Sequence, residues 1–285
     1  MTDSLYAIQI TDTHLFARRE TQLLGVPTDL TFRTVLAAIA RLTHQPDVLL
    51  ATGDLSQDGS FASYQRFRCA LAKFSADTYW LAGNHDQLTE MEMALGSVST
   101  TASATHSAPA STSSGRDRVH EDKAFVRQGW RFILLNSSVP QQVGGRLAAS
   151  ELQWLRHQLQ LASDCQEHVA VGLHHPPYLM GSQWLDSSTL ENSGAFLDVL
   201  AEFNCVRCVL FGHVHQAWEY QHGAVRFLGC PSTCVQFKPR SQQFAIDEDA
   251  PGVRQLWFCP DGRLTTDVLR IPEAAMVADS LAAGY

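Results

Sequence analysis

Apolar residues fall in short runs, most of them closed by a polar cluster. Residues 5–11 form a β-prone run that stops at Asp12. Residues 28–42 put Phe32, Val35, Leu36 and Ile39 on one helical face, with Thr28 or Asp29 at the start as N-cap. Residues 47–52 predict a compact strand entering Gly53-Asp54, and residues 60–74 a second amphipathic helix. Residues 78–82 predict a third strand, entering Gly83-Asn84-His85-Asp86, with a helix beginning near Leu88. This β-α-β-α-β order predicts parallel strands joined by right-handed crossovers, hence an α/β fold.

The texture then changes. Residues 97–115 are nearly all Ser, Thr, Ala and Gly, and predict a flexible surface loop, either a linker or a lid. Strands follow at 123–128 and 130–136, turning at Gly129, then a helix at 150–161 with Ser150 and Gln153 spaced as a capping box. A strand at 169–173 delivers His174, a helix covers 192–203, and Val206–Phe211 delivers His213. Short strands near 218–220, 225–229, 253–258 and 264–269 predict a second, mostly antiparallel sheet. The expected organisation is one domain over residues 1–271, carrying the 97–115 loop, and a loosely held tail over 272–285.

Charge and composition narrow the function classes. The net charge is −8 and no Lys/Arg cluster occurs, which argues against a nucleic-acid partner. No apolar run reaches membrane-spanning length, and residues 1–6 hold no basic stretch ahead of an apolar one. A cytoplasmic protein is expected, of either monomeric or homodimeric state. Cys205-x-x-Cys208 and Cys230-x-x-x-Cys234 could hold zinc, but Cys208 lies inside a strand-like run, which favours core packing.

The polar clusters carry the candidate chemistry. Strand ends of an α/β sheet converge on one edge, so ligands remote in sequence can meet there. Asp12 and His14 stand two apart, as do His213 and His215; in extended backbone each pair shares a face. Asp54 offers two oxygens and can bridge, Asn84 an amide oxygen, and His174 or His175 an imidazole. Carboxylate, imidazole and amide oxygen suit hard or borderline divalent metals. Alone, Asp-x-His is commonplace and Gly-Asp is usually a turn. Five such clusters in one order, each after a strand, point to a two-metal hydrolase.

In that order the clusters resemble the calcineurin-like metallophosphoesterases, over roughly residues 5–269. Gln9-Ile10-Thr11-Asp12-Thr13-His14-Leu15-Phe16, Ala51-Thr52-Gly53-Asp54-Leu55, Trp184-Leu185-Asp186 and the run 231–239 (Pro-Ser-Thr-Cys-Val-Gln-Phe-Lys-Pro) are similar to bacterial class III 3′,5′-cyclic-AMP phosphodiesterases. The resemblance implies a four-layer α/β/β/α sandwich of two mixed sheets flanked by helices. It implies one metal on Asp12, His14 and His215, another on Asn84, His174 and His213, and Asp54 bridging them; His174 ends its strand, while His175 would stand behind it. Two divalent or mixed-valence ions are expected, Fe and/or Mn foremost, with Zn or Co as alternatives. They would clamp a phosphodiester and supply a hydroxide for in-line attack. The phosphate of a small cyclic nucleotide would meet His14, Asp54, Asn84, His85 and His215. His85 would act as a catalytic residue on the departing 3′-oxygen; Asp86 would orient its imidazole or cap the helix near Leu88. Alternative substrates are 2′,3′-cyclic nucleotides, glycerophosphodiesters and nucleotide pyrophosphates; a non-catalytic scaffold would have lost ligands. The 97–115 loop looks longer than the family's.

Overall fold

A computed structural model describes residues 4–96 and 118–279. The first part holds β1 (Leu5–Ile10), α1 (Thr28–Ala40), β2 (Val48–Thr52), α2 (Phe61–Leu71), β3 (Asp77–Leu81) and α3 (Leu88–Leu95). Next come β4 (Val119–His120), β5 (Ala124–Arg127), β6 (Trp130–Leu134), α4 (Ala149–Asp164), β7 (His168–Gly172), α5 (Gln183–Asp186), α6 (Ser193–Ala201) and β8 (Val206–Phe211). The last are β9 (Trp218–His222), β10 (Val225–Gly229), β11 (Gln236–Phe237), β12 (Ile246–Asp247), β13 (Gly252–Phe258) and β14 (Leu264–Arg270). The low-complexity segment 97–115 lies outside the described residues.

Two six-stranded sheets result, ordered β14-β13-β1-β2-β3-β4 and β5-β6-β7-β8-β10-β9. Strand alternation makes the layers. In β1, Leu5 and Ala7 face the other sheet, while Ile8 and Ile10 join the core under α1, α2 and α3. In β8, Cys208 and Leu210 face the first sheet, while Val209 and Phe211 pack with residues of α4 and α6. Strands buried on both faces read as unbroken apolar runs, which is why they were legible. The order of layers is helix, sheet, sheet, helix.

Several expectations need correction. Strands 252–270 do not build a separate antiparallel sheet. β13 pairs antiparallel with β1, and β10 pairs parallel with β8, so both sheets are mixed. The predicted capping box fails: α4 starts at Ala149 after an uncapped Ala148, placing Ser150 inside the helix. Pro27, not Thr28 or Asp29, is the N-cap of α1, and Ser60 caps α2 by accepting from Ser63 N–H. Residues 272–279 are mostly exposed but touch the body: Ala274 is buried in the α1 core and Asp279 N–H donates to the Leu24 carbonyl at 2.8 Å. Cys208, Cys230 and Cys234 are buried, free thiols outside every candidate metal cluster among the described residues. No helix of these residues is long and apolar enough to cross a membrane.

One charged side chain joins the sheets. Arg254 of β13 is fully buried; its guanidinium donates to the Gly229 carbonyl at 2.8 and 3.1 Å, to the Trp218 carbonyl at 3.3 Å and to Glu219 at 2.7 Å. Arg254→Met strands those acceptors and should lower unfolding free energy by about 2–4 kcal/mol. Arg254→Lys should recover only part, since an ammonium cannot reproduce the fork. Urea unfolding followed by circular dichroism reads both; an unchanged midpoint for Arg254→Met would show that the clamp contributes nothing.

Candidate metal centre

The strand-end clusters meet at one edge of the paired sheets. Asp12, Asp54 and Asn84 arrive from β1, β2 and β3; His174, His213 and His215 arrive from β7 and β8. The backbone leaves β1, β2 and β8 through a kink. Asp12, His14, Asp54, His213 and His215 all have positive φ, from 44° to 66°. Each such L-residue costs roughly 1 kcal/mol or more, a strain typical of functional turns. The extended i, i+2 geometry expected for Asp12-x-His14 and His213-x-His215 is therefore replaced by left-handed turns. Hydrogen bonds hold them: Asp12 N–H to the Gly53 carbonyl and His14 N–H to the Asp54 carbonyl, both at 3.0 Å. Gly212 allows the sheets' turns to touch, since a Cβ there would overlap the Thr11 hydroxyl and crowd Asp12 Oδ2 at 2.8 Å.

Hydrogen bonding behind each ring fixes its tautomer. His174 Nδ1 donates to the Thr52 carbonyl at 2.8 Å, and His215 Nδ1 to the Val235 carbonyl at 2.7 Å. His14 Nδ1 faces the Gln57 amide oxygen at 2.6 Å. Ser188 gives its one proton to the Leu185 carbonyl, so it accepts from His213 Nε2–H at 2.9 Å. The remaining ring nitrogens point inward, each a lone pair in the neutral imidazole: Nε2 of His14, His174 and His215, and Nδ1 of His213.

Those lone pairs meet other acceptors. His14 Nε2 lies 3.1 Å from His215 Nε2, and Asp12 Oδ1 lies 3.2 Å from the latter. His213 Nδ1 lies 3.0 Å from Asn84 Oδ1. Asp54 Oδ2 is 3.2 Å from His174 Nε2 and 3.9 Å from His14 Nε2, and stands between the groups. Neither Asp54 Oδ2 nor His174 Nε2 has a hydrogen-bond partner. Asp12, His14 and His215 form one triangle able to hold a cation; Asp54, His174 and His213 form a second, and His14, Asp54 and His85 a third. Apart from the half-buried His85 these carboxylates and imidazoles are buried, and facing acceptors in such a place fit positive charge.

Burial disfavours charge on His174, but Asp54 outweighs it and lifts the imidazole up to about 9, so a proton on Nε2 faces Asp54 where a bound cation would take its place. Asp54 sits well below the carboxylate range despite burial, chiefly through His174. His14 is pushed down to about 3, by burial first. His175 is also pushed down to about 3, and both of its nitrogens are engaged, with Ser137 Oγ at 2.8 Å and the Val143 carbonyl at 3.0 Å. The inward group is therefore His174.

His85 is half-buried. Its N–H donates to Asp54 Oδ1 at 2.9 Å, and its ring lies edge-on to His14 with centroids 5.2 Å apart. Asp86 does not orient that ring, nor does it cap α3, whose N-cap is Gln87. Its carboxylate accepts instead from Leu55, Ser56 and Gly83 N–H and from Tyr64 O–H. Asp58 is a turn residue, accepting from Ala17 N–H, Ser60 N–H and the Ser56 and Ser60 hydroxyls. Sequence reasoning missed Gln57, Ser137 and Ser188, common polar residues without a distinctive pattern. The run 231–239 now has a physical role. Ser232 Oγ donates to the Asp12 carbonyl at 2.8 Å, and Phe237 stacks on His215 with centroids 4.1 Å apart.

Comparison with known proteins agrees with this geometry. The family model for calcineurin-like phosphoesterases matches residues 6–217. A 3′,5′-cyclic adenosine monophosphate phosphodiesterase CpdA of Vibrio vulnificus is 38% identical over 99% of this chain and 96% of its own length. Its namesake in Escherichia coli K12 is 39% identical over 98% of this chain and 94% of its own. Among solved structures, a dimetal phosphatase from Danio rerio superposes with a TM-score of 0.61 at 16% identity, covering 94% of this chain and 100% of its own. GAP50, the anchor in the inner membrane complex of Plasmodium, gives 0.64 at 12% identity, covering 100% and 90%. The strand-end clusters, the paired mixed sheets and these matches together make the chain a member of the calcineurin-like phosphoesterase family.

Proposed function

We propose that this phosphoesterase is a binuclear metal-dependent phosphodiesterase that opens 3′,5′-cyclic AMP to 5′-AMP. The observation that carries the metal reading is the inward set of lone pairs, backed by carbonyl, amide and hydroxyl acceptors that fix every ring. Asp12, His14 and His215 would hold one ion, and Asn84, His174 and His213 the other, with Asp54 Oδ2 between them. Bound divalent or mixed-valence ions, Fe and/or Mn or else Zn or Co, would supply Lewis acidity and a hydroxide nucleophile at neutral pH.

The chain's own residues do the rest. The Asn84 amide NH₂ is left to donate to the phosphate, while His14 and His215, whose ring nitrogens are engaged, line the site beside Asp54. His85, half-buried and anchored through its backbone by Asp54 Oδ1, reaches the departing 3′-oxygen and helps protonate it. The choice of cyclic AMP is supported by the names of the full-length relatives and by the likeness of the run 231–239 to cyclic-AMP phosphodiesterases. The partner is a small cyclic nucleotide rather than nucleic acid or membrane, supported by the net charge of −8, and the proposed location is the cytoplasm.

Purified protein with added Mn²⁺ should convert 3′,5′-cyclic AMP to 5′-AMP, and chelation should abolish turnover reversibly. Cyclic GMP, 2′,3′-cyclic AMP and bis(p-nitrophenyl) phosphate complete the panel; no metal-dependent turnover of 3′,5′-cyclic AMP sinks the proposal. Asn84→Ala should lower kcat on the order of 10²-fold, as loss of one positioned polar group does, with an unchanged circular-dichroism spectrum. Activity equal to wild type would show the second ion misassigned. His85→Ala should lower kcat by roughly 10²–10⁴-fold with both ions retained; loss of an ion instead would make His85 a ligand.

A further inference from the structure

Asp86 and Tyr64 form a buried junction that the proposed chemistry does not use. The Asp86 carboxylate sits where two turns meet, one carrying Asp54 and the other Asn84 and His85. Its Oδ2 accepts from Leu55 N–H at 3.2 Å and Gly83 N–H at 2.9 Å; its Oδ1 accepts from Ser56 N–H at 3.0 Å. Each turn is therefore gripped one residue away from a proposed ligand. The fourth donor comes from a helix: Tyr64 O–H of α2 donates to Oδ1 at 3.0 Å. The same phenol oxygen accepts from Gln87 N–H at 2.8 Å, closing the far side of the second turn.

We infer that Tyr64 is a positioning residue for the metal centre: its hydroxyl fixes the Asp86 carboxylate at the junction and thereby sets the separation of Asp54 from Asn84. A carboxylate has about four lone-pair sites, and here four donors meet it. Tyr64 is fully buried, so no water replaces its hydroxyl. Without that hydroxyl, one buried carboxylate site is unpaired, and the Gln87 N–H loses its partner at the rim of the junction. The carboxylate then turns toward other donors and loosens its grip on Leu55 or Gly83. The left-handed backbone at Asp54, with φ of 48°, relaxes when a restraint is lost. Ser63 of the same helix also reaches the first turn, its Oγ 2.6 Å from Ser56 Oγ, so α2 is the platform on which this turn is built.

The competing role is packing alone, since the Tyr64 ring belongs to the core that holds Phe32, Phe67 and Met91. The inference rests on the metal reading above, and the experiment separates the two. Full-length wild type, Tyr64→Phe, Asp86→Asn, the double variant and Phe67→Leu are freed of metal, and Mn²⁺ binding is followed by calorimetry beside a thermal melt. Phe67 packs on Phe32 in the same helix-side core and donates to neither turn. Tyr64→Phe keeps the ring and should bind at least one Mn²⁺ roughly 10–100-fold more weakly, the usual effect of losing a group that orients a ligand. Phe67→Leu should keep wild-type affinity whatever its melting temperature. Adding Tyr64→Phe to Asp86→Asn should weaken binding no further, because both act on one junction. Wild-type affinity in Tyr64→Phe, an equal loss in Phe67→Leu, or full additivity would overturn the positioning role. Failure of the wild type itself to take up Mn²⁺ would overturn the metal reading, and this inference with it.

Discussion

Acceptor facing acceptor is the constraint on which this molecule is organised. At the sheet edge, carboxylate oxygens, an amide oxygen and imidazole nitrogens point at one another across 3.0–4.0 Å in a buried space. Left to themselves they would turn away. Each is instead pinned from behind: His174 by the Thr52 carbonyl, His215 by the Val235 carbonyl, His14 by Gln57 and His213 by Ser188. The backbone kinks that carry them are held by ladder bonds running past the ends of the strands. The surrounding fold supplies the rigidity that this arrangement demands.

The division of labour between the sheets follows. The first contributes the oxygen-rich half of the site, Asp12, Asp54 and Asn84, together with His14. The second contributes the imidazoles His174, His213 and His215. Neither half is a site alone. The interior between the sheets, with Trp130, Phe132 and Phe258 at its centre, keeps the halves at working distance, and Arg254 bolts β13 to the β9–β10 hairpin behind it.

Much of this was readable from residues alone. Strands buried on both faces appear as short unbroken apolar runs, and glycine with Asp or His at their ends marks the turns. What escaped was non-local. That β13 would pair with β1 depends on a contact between residues about 250 positions apart, which periodicity does not encode. The true N-cap of α1 is Pro27, which offers no side-chain acceptor. The groups behind the rings are backbone carbonyls, Gln57 and Ser188, either invisible in a sequence or common in it. Asp86 was misread because proximity to His85 along the chain suggested contact, whereas the turn sends its carboxylate to backbone N–H groups and to a tyrosine some twenty residues earlier.

The pairing of β1 with β13 has a temporal meaning during synthesis. β1 carries the first cluster, yet its second neighbour is made only when residue 258 has been translated, and the wall behind His215 only when residue 237 has. A ribosome-bound chain that has emerged as far as β3 can pair β1, β2 and β3 and present three oxygen-bearing side chains, but no imidazole from the second sheet. The pocket therefore closes late, after nearly the whole chain is available, and the nascent protein offers only a partial grip to any cation it meets on the way.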